Sequence, residues 1–328
     1  MRIPFPERIS LFYVLCFASL LCVAQLLEGT AVVFAISSFL FILIAALAFN
    51  LAGGFTRPSG SYVFFYAVLS VIVGLCWKAI LLEPADSNLS VPYVTIRVYL
   101  AGICAMYAAV YVSRKLSSRR AFLGSLLAEQ NMQNATIGCM VTGMFILFLA
   151  AIIPHREGSV MSAIAQVDRF LPMAIILGVT YQIRKSGGTS SINLPVLLSF
   201  AAIFAQALVG FSKEGMFVPI LCWVVSVSSL NYKVAFYQVV GGFLVIAFIF
   251  HFLVPYSQYG RTFRSDSVSE SVNASISLLS NLDYVRQQYV TLDQAADSEG
   301  GVAYYNEPQG FFDRLQMISM DDALINIT

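Results

Sequence analysis

Charge is what this chain lacks most. Only 11% of its 328 residues are Asp, Glu, Lys or Arg, whereas a soluble domain carries about 25%, too few to solvate a globule of this length. Histidine is also scarce: His155 and His251 are the two, 96 positions apart. No HExxH, CxxC, GxSxG or GxGxxG occurs, so metal-dependent hydrolysis and a nucleophile triad have no support. Neither a metal nor a cofactor is expected. The six cysteines (Cys16, Cys22, Cys76, Cys104, Cys139 and Cys222) all lie in apolar runs, where they read as packing residues rather than a disulfide framework. A net charge of +1, with the basic residues scattered between those runs, excludes a nucleic-acid partner.

What remains is hydrophobicity, 58% of the residues. A helix needs about 17 to 25 apolar residues to cross about 30 Å of hydrocarbon, because its backbone must be satisfied internally. About nine segments fit, at 9–27, 31–51, 61–82, 94–113, 135–153, 161–183, 192–211, 216–230 and 234–254. The first ends at Gln25-Leu26-Leu27-Glu28 without a small-x-small cleavage signal, so it is expected to be retained. From Pro255 onward come ten acids, four arginines and no lysine. The expected fold is therefore an all-α polytopic membrane bundle over 1–254, followed by a large, mostly helical extracytoplasmic loop over 255–328.

Orientation follows from the lysines and arginines of the short connections. Arg2, Arg8, Arg57, Arg114, Lys115, Arg119, Arg120, Arg184, Lys185 and Lys233 fall on alternate connections, which places them in the cytoplasm and the polar segment outside. Losing the short eighth span would reverse that assignment. The other cations gather at the outer boundary: Lys78, Arg97, His155, Arg156, Arg169, Lys213, His251, Arg261 and Arg264. Lys78 and Arg97 suit snorkelling to headgroups. Arg169 shares a helical turn with Gln166 and Asp168 and precedes Pro172, the pattern of a polar, broken helix start lining a cavity.

The turn Gly210-Phe211-Ser212-Lys213-Glu214-Gly215 is the most specific short segment. Its glycines permit a tight turn, and Lys213 with the following backbone N–H groups suits a phosphate. A plain polar hairpin is the alternative. Beyond it, Ser267 and Glu270 have capping-box spacing, and Val272, Ile276, Leu279, Leu282, Val285, Tyr289 and Leu292 predict one amphipathic helix over 268–293. A second amphipathic stretch covers 311–318. Both need an apolar surface, and the outer mouth of the bundle is the nearest.

The order of elements, with a Gly-Phe-Ser-Lys-Glu-Gly outer turn at 210–215 and a long outer loop carrying arginines and ending in Phe311-Phe312-Asp313-Arg314-Leu315, resembles the O-antigen polymerase and O-antigen ligase superfamily. The resemblance implies metal-independent glycosyl transfer at the outer face of a bacterial cytoplasmic membrane. It implies a polyprenyl-pyrophosphate-linked glycan as donor, with membrane lipid and a chain-length regulator protein as partners. On that reading Arg169 and Arg314 are the catalytic candidates, and Lys213, Glu214, Arg261 and Arg264 bind substrate. The ligase branch uses a histidine in the large loop, and 255–328 has none, which favours polymerase. Family chains continue through further spans after that loop, so this chain is expected to be truncated at Thr328.

Two other function classes compete. A glycan transporter or flippase calls for ionisable groups near the bilayer midplane and repeated halves, and no internal repeat is visible. A membrane scaffold of a polysaccharide assembly complex accounts for the large loop but not for the cations near it.

Overall fold

The computed structural model describes residues 2–116, 129–152, 169–263, 268–298, 304–306 and 316–327. The described chain is helical apart from one two-residue antiparallel pairing, Arg2 opposite Ala235 and Ile3 opposite Val234. Five helices are long and apolar enough to cross a membrane: α2 (Val32–Ala52), α3 (Pro58–Leu81), α4 (Pro92–Leu116), the 131–149 part of α5 (Glu129–Ile152), and α9 (Phe236–Phe263). Four shorter helices occupy the other expected segments: α1 (Leu11–Leu27), α6 (Phe170–Lys185), α7 (Leu194–Val209) and α8 (Lys213–Ser229). Three more, α10 (Val268–Leu279), α11 (Leu282–Ser298) and α12 (Ile318–Ile327), follow Pro255.

Contacts group the chain into two units, and the segment after Pro255 is divided between them. The first unit is Pro6–Ser117 with Leu292–Thr328; the second is Met1–Phe5 with Ser118–Thr291.

In the first unit α2 is the central helix. Phe34, Ser38, Phe41, Ala45, Ala48, Phe49 and Ala52 are buried at three- and four-residue spacing, and the small members of that stripe let neighbouring helices approach, as packing without a hydrophobic drive requires. Polar side chains tie the helices. The Asn50 amide accepts from Ile9 N at 2.7 Å and donates to Ile9 O at 2.8 Å, and the buried Gln25 donates to Leu75 O at 3.3 Å. Pro58 and Pro92 open α3 and α4, the first-turn position that needs no N–H.

The second unit is built around α6. Leu171, Ile175, Val179 and Ile183 recur every four residues and pack with Val196, Ile203 and Val227. Gly178 allows α6 and α7 to approach closely, since a Cβ there would lie 2.5 Å from the Val196 side chain. Asn193 caps α7 by accepting from Val196 N at 3.1 Å, and its amide reaches Gly178 O at 3.3 Å.

Two boundaries differ from the expectation. The ninth span does not end at Val254: α9 continues through Pro255 to Phe263. A π-turn at Ile249–Leu253 precedes the proline, and such a widened turn makes room for a residue that lacks an N–H and crowds the carbonyl four positions back. The single amphipathic helix over 268–293 is two helices. Ser280 and Asn281 interrupt it, and Asn281 Oδ1 accepts from Tyr284 N at 3.3 Å, the competing local bond that makes asparagine a helix start. Of the expected apolar face, Leu279, Leu282 and Val285 pack in the core of the second unit, joined by Leu278, while Ile276 is 62% exposed. Ser267 of the expected capping box and residues 311–315 of the second stretch lie outside the described residues.

Candidate functional site

The outer turn is gripped from α9. Phe211 adopts a left-handed conformation, φ +50°, and two residues of α9 hold the carbonyls of the turn: Tyr256 Oη donates to Leu208 O and Ser257 Oγ to Phe211 O, both at 2.9 Å. Gly260 leaves room for the Phe211 ring, because a Cβ there would fall 2.1 Å from it. Ser212 then caps α8, accepting from Gly215 N at 3.1 Å. Lys213 and Glu214 are consequently the first two residues of α8, Lys213 partly buried and Glu214 exposed.

Arg261 follows Gly260 directly and is exposed, and Arg169 is the exposed cap residue of α6. Short connections make α7 antiparallel to both α6 and α8, so the starts of α6 and α8 lie at one end of the unit, with the end of α9. Arg169, Lys213, Glu214 and Arg261 therefore share that end. Two helix N-termini with their positive dipole ends lie there with the side chains of Arg169, Lys213 and Arg261 and the carboxylate of Glu214, an arrangement that suits an anion. Arg264 and Arg314 lie outside the described residues. Arg286, which the pattern does not single out, bonds His251 on α9 at 2.9 Å. Its signal is indirect, since it adjoins Val285, the residue of α11 that the heptad-like spacing buries.

A second polar cluster, in the first unit, was not expected. Lys78 does not snorkel. Its ammonium is fully buried and donates to Glu83 Oε2 and to Ser87 Oγ, each at 2.7 Å. The Tyr304 ring lies 4.8 Å from it, and Asn306 N donates to Glu83 Oε1 at 3.1 Å. Tyr304 Oη donates to Ala85 O at 2.7 Å. Burial, then the neighbouring Tyr305 and the carboxylates of Asp86 and Glu83, holds the Tyr304 phenol well above its ordinary pKa. Farther on, Asp322 accepts from Ser90 N at 2.6 Å, Val91 N at 3.1 Å and Thr95 Oγ1 at 2.7 Å, so a carboxylate from α12 caps the start of α4. This network docks the end of the polar segment on the 83–91 connection. Only Glu83, five residues after an intramembrane lysine, carried a sequence signal; Tyr304 and Asp322 are more than 200 positions from what they touch.

The chain was compared with family models, with curated proteins and with solved structures. It matches none of them. Among the described residues no group of three or more His, Cys, Asp or Glu is placed to hold a metal ion.

Proposed function

We propose that this protein transfers glycosyl groups at the outer face of a bacterial cytoplasmic membrane, joining polyprenyl-pyrophosphate-linked oligosaccharide repeat units. The observation that carries the reading is the gathering of Arg169, Lys213 and Arg261 at one end of the second unit, beside two parallel helix starts. In the reaction an acceptor hydroxyl attacks the anomeric carbon of the donor and releases its proton to water. The bond from that carbon to the pyrophosphate oxygen breaks, and the pyrophosphate leaves with the electron pair. Arg169, Lys213 and Arg261, with Arg264 and Arg314 as further ligands, neutralise the charge that grows on it. Preorganised contacts of this kind are worth roughly 3 to 4 kcal/mol each, or about 10² to 10³ in rate.

A carrier or flippase of lipid-linked glycan is the second reading, favoured by the carboxylate of Asp321, which lies beside the middle of α3 (below), where a carrier places ionisable groups. The two readings part on where unextended repeat units collect. Arg169→Ala and Lys213→Glu should abolish chain extension while single lipid-linked units accumulate outside, and Lys213→Arg should retain part of the activity. Accumulation on the cytoplasmic side would favour the carrier, and normal polymer length in Arg169→Ala and Lys213→Glu would eliminate the proposed mechanism.

A further inference from the structure

The middle of α3 is interrupted by a π-turn, Val68–Ile72, in which Val73 N bonds Val68 O. That bond skips Leu69, whose carbonyl would otherwise accept from Val73 and is left without its helical partner. Met317 N takes it at 3.1 Å. Leu69 is the twelfth of the 24 residues of α3, so the backbone after Gln316 reaches halfway along a membrane-length helix before α12 turns back along α4. The two acids at the start of α12 then meet different surroundings. Asp322 is saturated by two backbone N–H groups and a threonine hydroxyl. Asp321 accepts a hydrogen bond from Tyr99 Oη and forms no ion pair with another described residue.

Asp321 lines an open pocket of about 190 Å³ together with Tyr62, Phe65, Tyr66 and Tyr99, with Leu69 and Met317 at its border. The Tyr66 and Tyr99 rings stand 6.3 Å apart at 65°. Ser70 also reaches the wall, but its hydroxyl is committed to Tyr66 O at 2.5 Å. Asp321 is the one lining side chain that carries a formal charge. A carboxylate at this depth is costly without a cation. A divalent metal ion calls for several carboxylate or carbonyl oxygens, and among the lining side chains only Asp321 carries a carboxylate. Ring faces around one carboxylate suit a cation whose charge is spread over alkyl groups. At roughly 30 Å³ for each water-sized group, the volume admits about six such groups.

We propose that this pocket binds a small organic ammonium, held by the Asp321 carboxylate and the faces of Tyr62, Phe65, Tyr66 and Tyr99. It is separate from the cationic end of the second unit and does not depend on glycosyl transfer. Choline and its neutral carbon isostere 3,3-dimethylbutan-1-ol fill the same volume and differ in charge, so titrating each into the purified full chain by calorimetry isolates the charge. Choline should bind saturably and at least about tenfold more tightly than the isostere, the size of a partly desolvated cation–π and ion-pair contribution. Asp321→Asn should lose about tenfold in choline affinity. Tyr62, 65% exposed, supports no core packing, so Tyr62→Leu should weaken choline several-fold with an unchanged thermal midpoint and remains informative if Asp321→Asn does not fold. Absence of saturable choline binding, equal affinity for both probes, or wild-type choline affinity in Tyr62→Leu would overturn the proposal.

Discussion

Lys78 shows how much one residue's partner matters. A fully buried ammonium is tolerable here because Glu83 faces it at 2.7 Å and Ser87 and Tyr304 complete its surroundings. Removing one member of such a pair leaves an uncompensated charge and costs about 3 to 5 kcal/mol, whereas replacing both by apolar groups is often neutral. Glu83→Ala should therefore lower the thermal midpoint of the purified protein sharply, and Lys78→Met combined with it should restore most of the loss. Unfolding at the wild-type temperature in Glu83→Ala would show that the pair carries no stability. Half of this arrangement was legible in the sequence, since a lysine within an apolar run stands out. The other half was not, because the choice between headgroup and carboxylate is made by Tyr304 and Asn306, which no local pattern connects to Lys78.

The helices themselves were legible wherever a long apolar run supplied the signal, as in α2, α3 and α4. What failed was the reading of helix ends. Pro255 reads as a stop, yet the π-turn at Ile249–Leu253 absorbs it and carries α9 eight residues farther to Phe263. That extension places Tyr256, Ser257 and Gly260 against the 208–211 carbonyls and the Phe211 ring, so the geometry of the candidate anion site depends on a stretch of helix the hydropathy does not show. A methyl group at Gly260 would collide with the ring at 2.1 Å, and overpacking of this kind costs about 1 to 3 kcal/mol. Gly260→Ala should lower stability by that amount, and Phe211→Leu in the same chain should recover part of it by vacating the space. If thermal unfolding shows no destabilisation in Gly260→Ala, α9 does not hold the turn in this way.

At the scale of the whole molecule, sidedness is a matter of counting crossings. Glu83 bonds Asn306 N, and Asp322 bonds Ser90 N and Val91 N, so the 83–91 connection and the 304–327 segment share a side of the membrane. Of the described helices between them, six, α4 to α9, are apolar and two, α10 and α11, are amphipathic, and an even number of crossings must separate the two contacts. Three of the six, α6, α7 and α8, have 16, 16 and 17 residues, about 25 Å each at 1.5 Å per residue. A helix that short still spans when the bilayer thins by a few ångströms, at a cost of fractions of a kcal/mol per ångström. Failure of α8 alone would leave five crossings and put the docked segment on the wrong side of its own partner. The lysines and arginines of the alternate connections then choose which side is the cytoplasm, giving Ser118 inside and Ser298 outside. With cysteine at each position in a cysteine-free background, an impermeant maleimide applied to intact cells or spheroplasts should label position 298 and spare position 118. The reverse pattern would invert the molecule, and equal labelling of both would mean that an even number of helices crosses between them.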